Sequence, residues 1–212
     1  EDVETLCNEK FDGTDRTVTE TLNDLVLSIG ENMKVRRFEK MDGVVATYIH
    51  AVGAVGVMVG FDVSDEAKAD DDEFVAMGKN VAMQIAAMNP KYISQADIPD
   101  DYKEHEKEIL LAQAIEENNK LPENKRKPEN IIEKMLIGRL NKQFKEICLL
   151  DQVYVRAEDG KQTVGQYLDQ VGKANNTKIT SKEFVRFETG EGIEKRQDNF
   201  AEEVMAQAAA AK

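Results

Sequence analysis

The sequence predicts a mixed protein in which short antiparallel strands pack with helices, and three observations carry that expectation. A third of the residues are charged, yet between Asp42 and Asp62 no side chain carries a formal charge apart from what His50 takes up. A unit made of a capped helix and a following strand occurs near the start of the chain and again near its end. Between the two copies, a pair of long helical patterns joined by a polar loop predicts an antiparallel helical hairpin.

Residues 1–16 form a polar lead-in, in which Val3 and Leu6 fit the end of a helix that begins earlier. The chain opens on Glu1 rather than Met, so it is expected to be a fragment of something longer. Thr17-Val18-Thr19-Glu20 matches the capping box, in which a threonine hydroxyl and a glutamate carboxylate satisfy reciprocal backbone donors. Val18, Leu22, Leu25 and Ile29 follow at helical spacing, and Gly30 marks the helix end. Lys34 to Met41 reads as a strand leading through Asp42-Gly43 into the uncharged run.

That run, DGVVATYIHAVGAVGVMVGFD, is about as long as a membrane span. Its texture is that of strands: valines at 44, 45, 52, 55, 57 and 59 are mixed with Thr47, Tyr48 and Ile49. Gly53 and Gly56 interrupt it, and no cationic flank surrounds it. Two strands, VVATYIH and VGVMVGF, joined by a turn at AVGA, are expected. Both strands are apolar on both faces, which predicts helices over one face and a neighbouring surface or partner over the other. His50 sits at the mouth of the turn.

Residues 64–72 form an acidic loop, and a helix opens in the Asp70–Glu73 acids, which suit a positive helix end. Phe74, Met77, Val81, Ile85 and Met88 make its apolar stripe, read as core, and Asn89-Pro90 stops it. Pro99 and Asp100 start the next helix, running to Asn118 with Ile109, Leu110 and Ile115 as its few large apolar residues. After a polar loop over 119–127, Pro128 suits a first helical position. Ile131, Ile132, Met135, Leu136, Leu140, Phe144 and Ile147 then line a second helix, a stripe that needs the main body or a second copy of the chain to cover it. Residues 149–157 (LLDQVYVRA) read as a strand.

The repeat follows. Asp159-Gly160 with Thr163-Val164 mirrors Asp12-Gly13 with Thr17-Val18, and Thr163 to Gln166 is again a capping box. Leu168 stands where Leu22 did, Val171-Gly172 echoes Ile29-Gly30, Lys178-Ile179 echoes Lys34-Val35, and Arg186-Phe187-Glu188 repeats Arg37-Phe38-Glu39. Residues 190–195 turn outward, and Asp198 caps a last helix from Phe200 to about Ala210.

A net charge of -13 argues against a nucleic-acid backbone as the main partner, because counterion release needs clustered cations. The basic runs Lys34-Arg36-Arg37 and Lys125-Arg126-Lys127 read as solvated faces. Cys7 and Cys148 have neither CxxC spacing nor a His-rich neighbourhood, which suits a reducing compartment; a soluble, cytoplasmic protein is expected. No residues combine into a catalytic group. Neither GEGIEK at Gly190 nor AVGAVG has GxGxxG spacing between strand and helix, and no P-loop occurs, so no nucleotide cofactor is expected. His50 and His105 share no evident ligand set, and the Asp70–Glu73 acids lack the alternation of a calcium loop, so no metal is expected. A lone histidine on an apolar hairpin is ordinarily a satisfied or half-buried residue; the functional alternative is a contact residue at an exposed hairpin end. Ile29-Gly30 is ordinary helix capping or, alternatively, a flat spot where another backbone approaches closely.

GKNVAMQIAAMNPKYIS (78–94), KPENIIEKMLIGRLNKQFKEICLLDQ (127–152) and VRFETGEGIEK (185–195) strongly resemble bacterial elongation factor Ts, as do IGENMKVRRF (29–38) and the hairpin with Tyr48 and His50. The likeness is ordered along nearly the whole chain. It implies an α+β core of two related subdomains of small antiparallel sheets packed with helices, an inserted helical hairpin and a C-terminal helical module. Its implied boundaries are 1–43 for the rest of the first core subdomain, 44–91 for the hairpin and helix of the second, 92–148 for the arm, a dimerisation module, 149–196 for the rest of the second subdomain, and 197–212 for the C-terminal module.

The implied activity is guanine-nucleotide exchange on elongation factor Tu, by binding and without bond chemistry. Ile29, Gly30 and His50 would grip a helix of Tu, and Val155 and Arg156 would face Tu as well. Arg156 departs from the apolar residue expected beside Val155. Relatives begin with a helical Tu-binding domain and a Thr-Asp-Phe-Val segment that this chain lacks, so it is expected to keep the fold but to exchange nucleotide poorly. The alternative is a structural homodimer, with the arm and the hairpin as its assembly surface and without exchange. No membrane or direct nucleic-acid partner is expected.

Overall fold

The computed structural model describes residues 2–193, and the chain divides into two compact units, Glu1–Gly43 and Val44–Lys212. The fold is α+β, with short antiparallel strands and longer helices.

In the first unit, α1 (Val3–Asn8) opens at Asp2, whose carboxylate accepts the Thr5 N–H at 2.8 Å. The lead-in is thus helical over Val3–Asn8, where the expected helix end lies. α2 (Val18–Ile29) starts on the expected capping box: the Thr17 hydroxyl accepts the Glu20 N–H at 3.1 Å and Glu20 accepts the Thr17 N–H at 2.8 Å. Its apolar stripe lies differently from the reading. Val18, Leu22 and Val26 are half-buried, while Leu25, Leu27 and Ile29 are exposed. Lys34–Met41 is not a strand. An extended segment becomes a strand only when a neighbour takes its backbone hydrogen bonds, and no strand stands among the described residues of this unit, so the small sheet expected in the first subdomain is not seen there.

The second unit is built on the uncharged run. β1 (Val44–His50) and β2 (Val55–Val63) form the expected hairpin, joined by a tight turn over Ala51–Ala54 in which the Ala54 N–H donates to Ala51 O. Val55, Val57, Val59 and Phe61 of β2 are buried in the core, and α3 (Asp72–Met88) packs over β1 and β2. The second face is not fully covered: Thr47 and Ile49 are exposed and Met58 is half-buried. Gly78 lets α3 approach closely, since a Cβ there would lie 2.7 Å from the Ala46 Cβ. α3 buries Phe74, Met77, Val81 and Ile85 as expected, leaves Met88 exposed, and ends at Asn89 with φ of 45° just before Pro90.

α4 (Asp100–Asn119) and α5 (Glu129–Ile147) form the arm. Gln143 donates to Glu106 and Arg139 to Glu117, pairings that require the two helices to run antiparallel. Its roots are zipped by backbone bonds, with Tyr92 N–H donating to Ile147 O and Leu149 N–H to Tyr92 O. On α5 only Ile132 and Leu136 are buried; Ile131 and Ile137 stay exposed, as do Ile109 and Ile115 on α4.

Residues 149–157 are not a strand. A 3₁₀ turn spans Leu149–Asp151, and beyond it only an isolated bridge joins Val153 to Thr163. α6 (Val164–Ala174) and β3 (Ile179–Glu188) complete the unit, β3 pairing with β2 to give the antiparallel order β1-β2-β3.

The internal repeat extends to the backbone hydrogen bonds. Val18 N–H donates to Glu9 O and Phe11 N–H to Arg16 O; in the second copy Val164 N–H donates to Gln152 O and Tyr154 N–H to Gln162 O. Bridges Lys10–Thr17 and Val153–Thr163 correspond, and Thr163 with Gln166 forms the second capping box. The strand half of the unit does not recur, since Ile179–Glu188 is a strand and Lys34–Met41 is not, and the position of the helix-end glycine also shifts. Gly172 lies inside α6, and the residue equivalent to Gly30, counted from the cap threonines, is Asn176; both are left-handed, with φ of 79° and 52°. Asparagine and glycine are the residues that tolerate that conformation best. The helix expected over 200–210, with its cap at Asp198, lies outside the described residues.

Candidate functional site

Three of the five residues singled out in the sequence line one open groove of about 360 Å³. Tyr48 and His50, at the end of β1, form one wall, and Val155 and Arg156 form the other. Met83, Ala86 and Ala87, on the last turns of α3, complete the lining. No carboxylate lines it, in a chain whose net charge is -13. Histidine and arginine supply the polar edges, and the rest is apolar apart from the Tyr48 hydroxyl.

His50 is exposed, so the half-buried reading does not hold. It is not unpartnered, because Nδ1 lies 2.9 Å from the Tyr48 hydroxyl. Alternation along β1 puts both side chains on one face, which brings their rings to 5.9 Å. Next to His50 the backbone is strained: Ala51 and Val52 have φ of 48° and 56°, a region that β-branched residues avoid. Val52 is fully exposed.

The opposite wall is held by α3 rather than by a sheet. The Val155 N–H donates to Gln84 Oε1 at 2.8 Å, while Gln84 Nε2 donates to Val153 O at 3.1 Å and to Gln152 Oε1 at 3.2 Å. Gln84 is completely buried. Arg156 donates to Asn80 Oδ1 at 2.8 Å, and Asn80 Nδ2 donates to the Tyr167 hydroxyl at 3.0 Å. Tyr167 stacks on Tyr154 at 4.3 Å, and burial, followed by the neighbouring Tyr167, raises the Tyr154 pKa to about 12. Arg186 of β3, which does not line the groove, donates to Ala86 O at 3.4 Å, a cation near a helix C-terminus.

Asn80, Met83 and Gln84 escaped the sequence reading. A signal for Gln84 was present: it falls among Met77, Val81 and Ile85 on an otherwise apolar face, where a polar residue must find partners. Ile29 and Gly30 lie in the other unit, Ile29 exposed on the last turn of α2 and Gly30 at its left-handed cap, its N–H donating to Val26 O at 2.9 Å. Among the described residues no cluster of three or more histidine, cysteine or carboxylate side chains is arranged to hold a metal, and no helix is long and apolar enough to cross a membrane.

The fold and groove define an α+β protein with a projecting helical hairpin and an open, apolar and cationic recess beside its central strands. The family profile described as Elongation factor TS matches residues 1–191. Elongation factor Ts of Clostridium perfringens (strain SM101 / Type A) is 46% identical over 205 residues, covering 95% of this chain and 63% of the relative. That of Syntrophotalea carbinolica is 43% identical over 206 residues, covering 96% and 64%. That of Clostridioides difficile (strain 630) is 47% identical over 193 residues, covering 90% and 59%. This chain belongs to the elongation factor Ts family, and it spans less than two thirds of the length of these relatives.

Proposed function

We propose that the groove receives a helix of the GTP-binding domain of elongation factor Tu, and that the chain promotes GDP release by favouring the nucleotide-free form of Tu. The observation that carries this reading is the convergence of His50, Val155 and Arg156, distant in sequence, on one carboxylate-free recess. Ile29 and Gly30 would meet the same partner, since the exposed isoleucine at a glycine cap offers apolar surface where a backbone can come close. The mechanism is linkage rather than bond chemistry. A protein that binds empty Tu more tightly than GDP-bound Tu must weaken GDP by the same factor. A thousandfold effect corresponds to about 4 kcal/mol of differential contact, an order that a few apolar anchors and a histidine at an interface centre supply. Such a factor works in the cytoplasm, beside the translation machinery.

The test is titration of the chain into nucleotide-free and GDP-loaded Tu, with stopped-flow GDP release alongside. Tighter binding to the empty form, weakened by His50→Ala, is expected; equal affinity for both forms overturns the proposal. A second reading, assembly of two copies through the arm, is favoured by exposed Ile109, Ile115, Ile131 and Ile137. Sedimentation of the wild type and of Ile137→Asp tests it, with a dimer that the substitution dissociates as the expected result.

A further inference from the structure

We infer that Gln84 is a positioning residue for the partner interface, acting through Val155 and assisted one turn earlier by Asn80; the inference rests on the groove being the Tu-binding surface. On one side residues 152–154 pair with 162–164 through the isolated Val153–Thr163 bridge, with Tyr154 N–H donating to Gln162 O and Val164 N–H to Gln152 O, and no such pairing reaches Val155 or Arg156. Each hydrogen bond that holds the segment against α3 comes from one of two amide side chains. Gln84 uses both ends of its carboxamide, accepting from the Val155 N–H at 2.8 Å and donating to Val153 O and Gln152 Oε1. Asn80 takes the Arg156 guanidinium at 2.8 Å and passes its own donor to Tyr167. The result is alternation without a sheet: Gln152 and Tyr154 are buried while Val153, Val155 and Arg156 face outward.

A buried amide of this kind has an ordinary structural role, and its geometry gives it a second one. Gln84 touches no open surface, yet it bonds the backbone of a residue whose side chain is half of one groove wall. Without that bond the Val155 N–H is left unsatisfied or the segment moves to find water, and the wall shifts away from His50. Pre-organised contact residues bind more tightly because less is ordered on binding. Gln84 therefore sets affinity for the partner without contacting it.

The experiment compares the 212-residue wild type with Gln84→Met, Asn80→Ala, Val155→Ala and the Gln84→Met/Val155→Ala pair, titrated into nucleotide-free Tu, with amide hydrogen exchange on the free chain. Gln84→Met is expected to weaken binding about tenfold, chiefly through faster dissociation, and to speed exchange at Val155 while β2 remains protected. The double variant is expected to bind no more weakly than the poorer single one, because both act through one contact. Asn80→Ala, at a half-buried site, is expected to weaken binding severalfold with the fold intact. Full additivity of Gln84→Met with Val155→Ala, or unchanged affinity in both Gln84→Met and Asn80→Ala, overturns the inference. If Gln84→Met does not fold, unchanged affinity in Asn80→Ala alone overturns it. Failure of the wild type itself to bind Tu overturns the Tu reading and the positioning role with it, an outcome distinguished by the wild-type titration alone.

Discussion

The Tyr48 hydroxyl stands 2.9 Å from Nδ1 of His50 at the groove's edge. With the phenol as donor, the ring's remaining proton sits on Nε2, which leaves a donor for a docking partner. Tyr48→Phe is expected to weaken binding to nucleotide-free Tu by about threefold to tenfold, the range of a net hydrogen bond of roughly 0.5–1.5 kcal/mol. Calorimetric titration checks this, and the thermal midpoint should move by no more than about 2 °C.

Val52 lies beyond His50 in the left-handed region with φ of 56°, and its side chain is fully exposed, so no packing offsets the strain. Val52→Gly should therefore stabilise the chain by about 0.5–1 kcal/mol, the relief of side-chain clash exceeding the added freedom of the unfolded state. Thermal denaturation should show a rise of a few degrees, about 2–4 °C per kcal/mol at this size.

Gly78 and Ala46 are matched in size where α3 crosses β1. Gly78→Ala brings a new methyl to 2.7 Å from the Ala46 Cβ and should destabilise by about 1–3 kcal/mol through overpacking. Adding Ala46→Gly should restore part of that loss. Denaturant unfolding of the two single variants and the pair measures the coupling directly.

Burial pushes the Cys148 thiol up to about 11, with Asp151 and Asp97 adding to the shift. The folded state thus holds a proton that the unfolded state releases above about pH 9. The contribution of this group is fully present below that pH and is lost as pH rises toward 11, so alkaline unfolding should deepen across that window. Tyr154, raised to about 12, extends the loss above pH 10. Urea midpoints measured from pH 8 to 11 check the sign, and thiol titration at pH 8 should label the half-exposed Cys7 well before Cys148.

Local chemistry made much of this protein legible. The threonine caps at 17 and 163, the acid-rich start of α3, its stop at Asn89-Pro90 and the hairpin arm all follow from side chains acting on backbone a few residues away. So does the pairing of VVATYIH with VGVMVGF across a short turn. Lys34–Met41 and residues 149–157 show where such reasoning ends. Both have strand-forming composition, but a strand is a relation between two chains of backbone, and neither segment has the neighbour it needs.

The site divides along the same line. The likeness to a known family singles out His50 and Val155, whereas the residues alone favour a satisfied or half-buried His50, and its exposure comes only with the structure. That the two line one groove beside the end of α3 was decided by tertiary structure, because it depends on Gln84, buried on a helix far from either in sequence, taking the backbone bond of Val155. Periodicity assigns a residue to a helical face; only packing tells which distant backbone that face will meet.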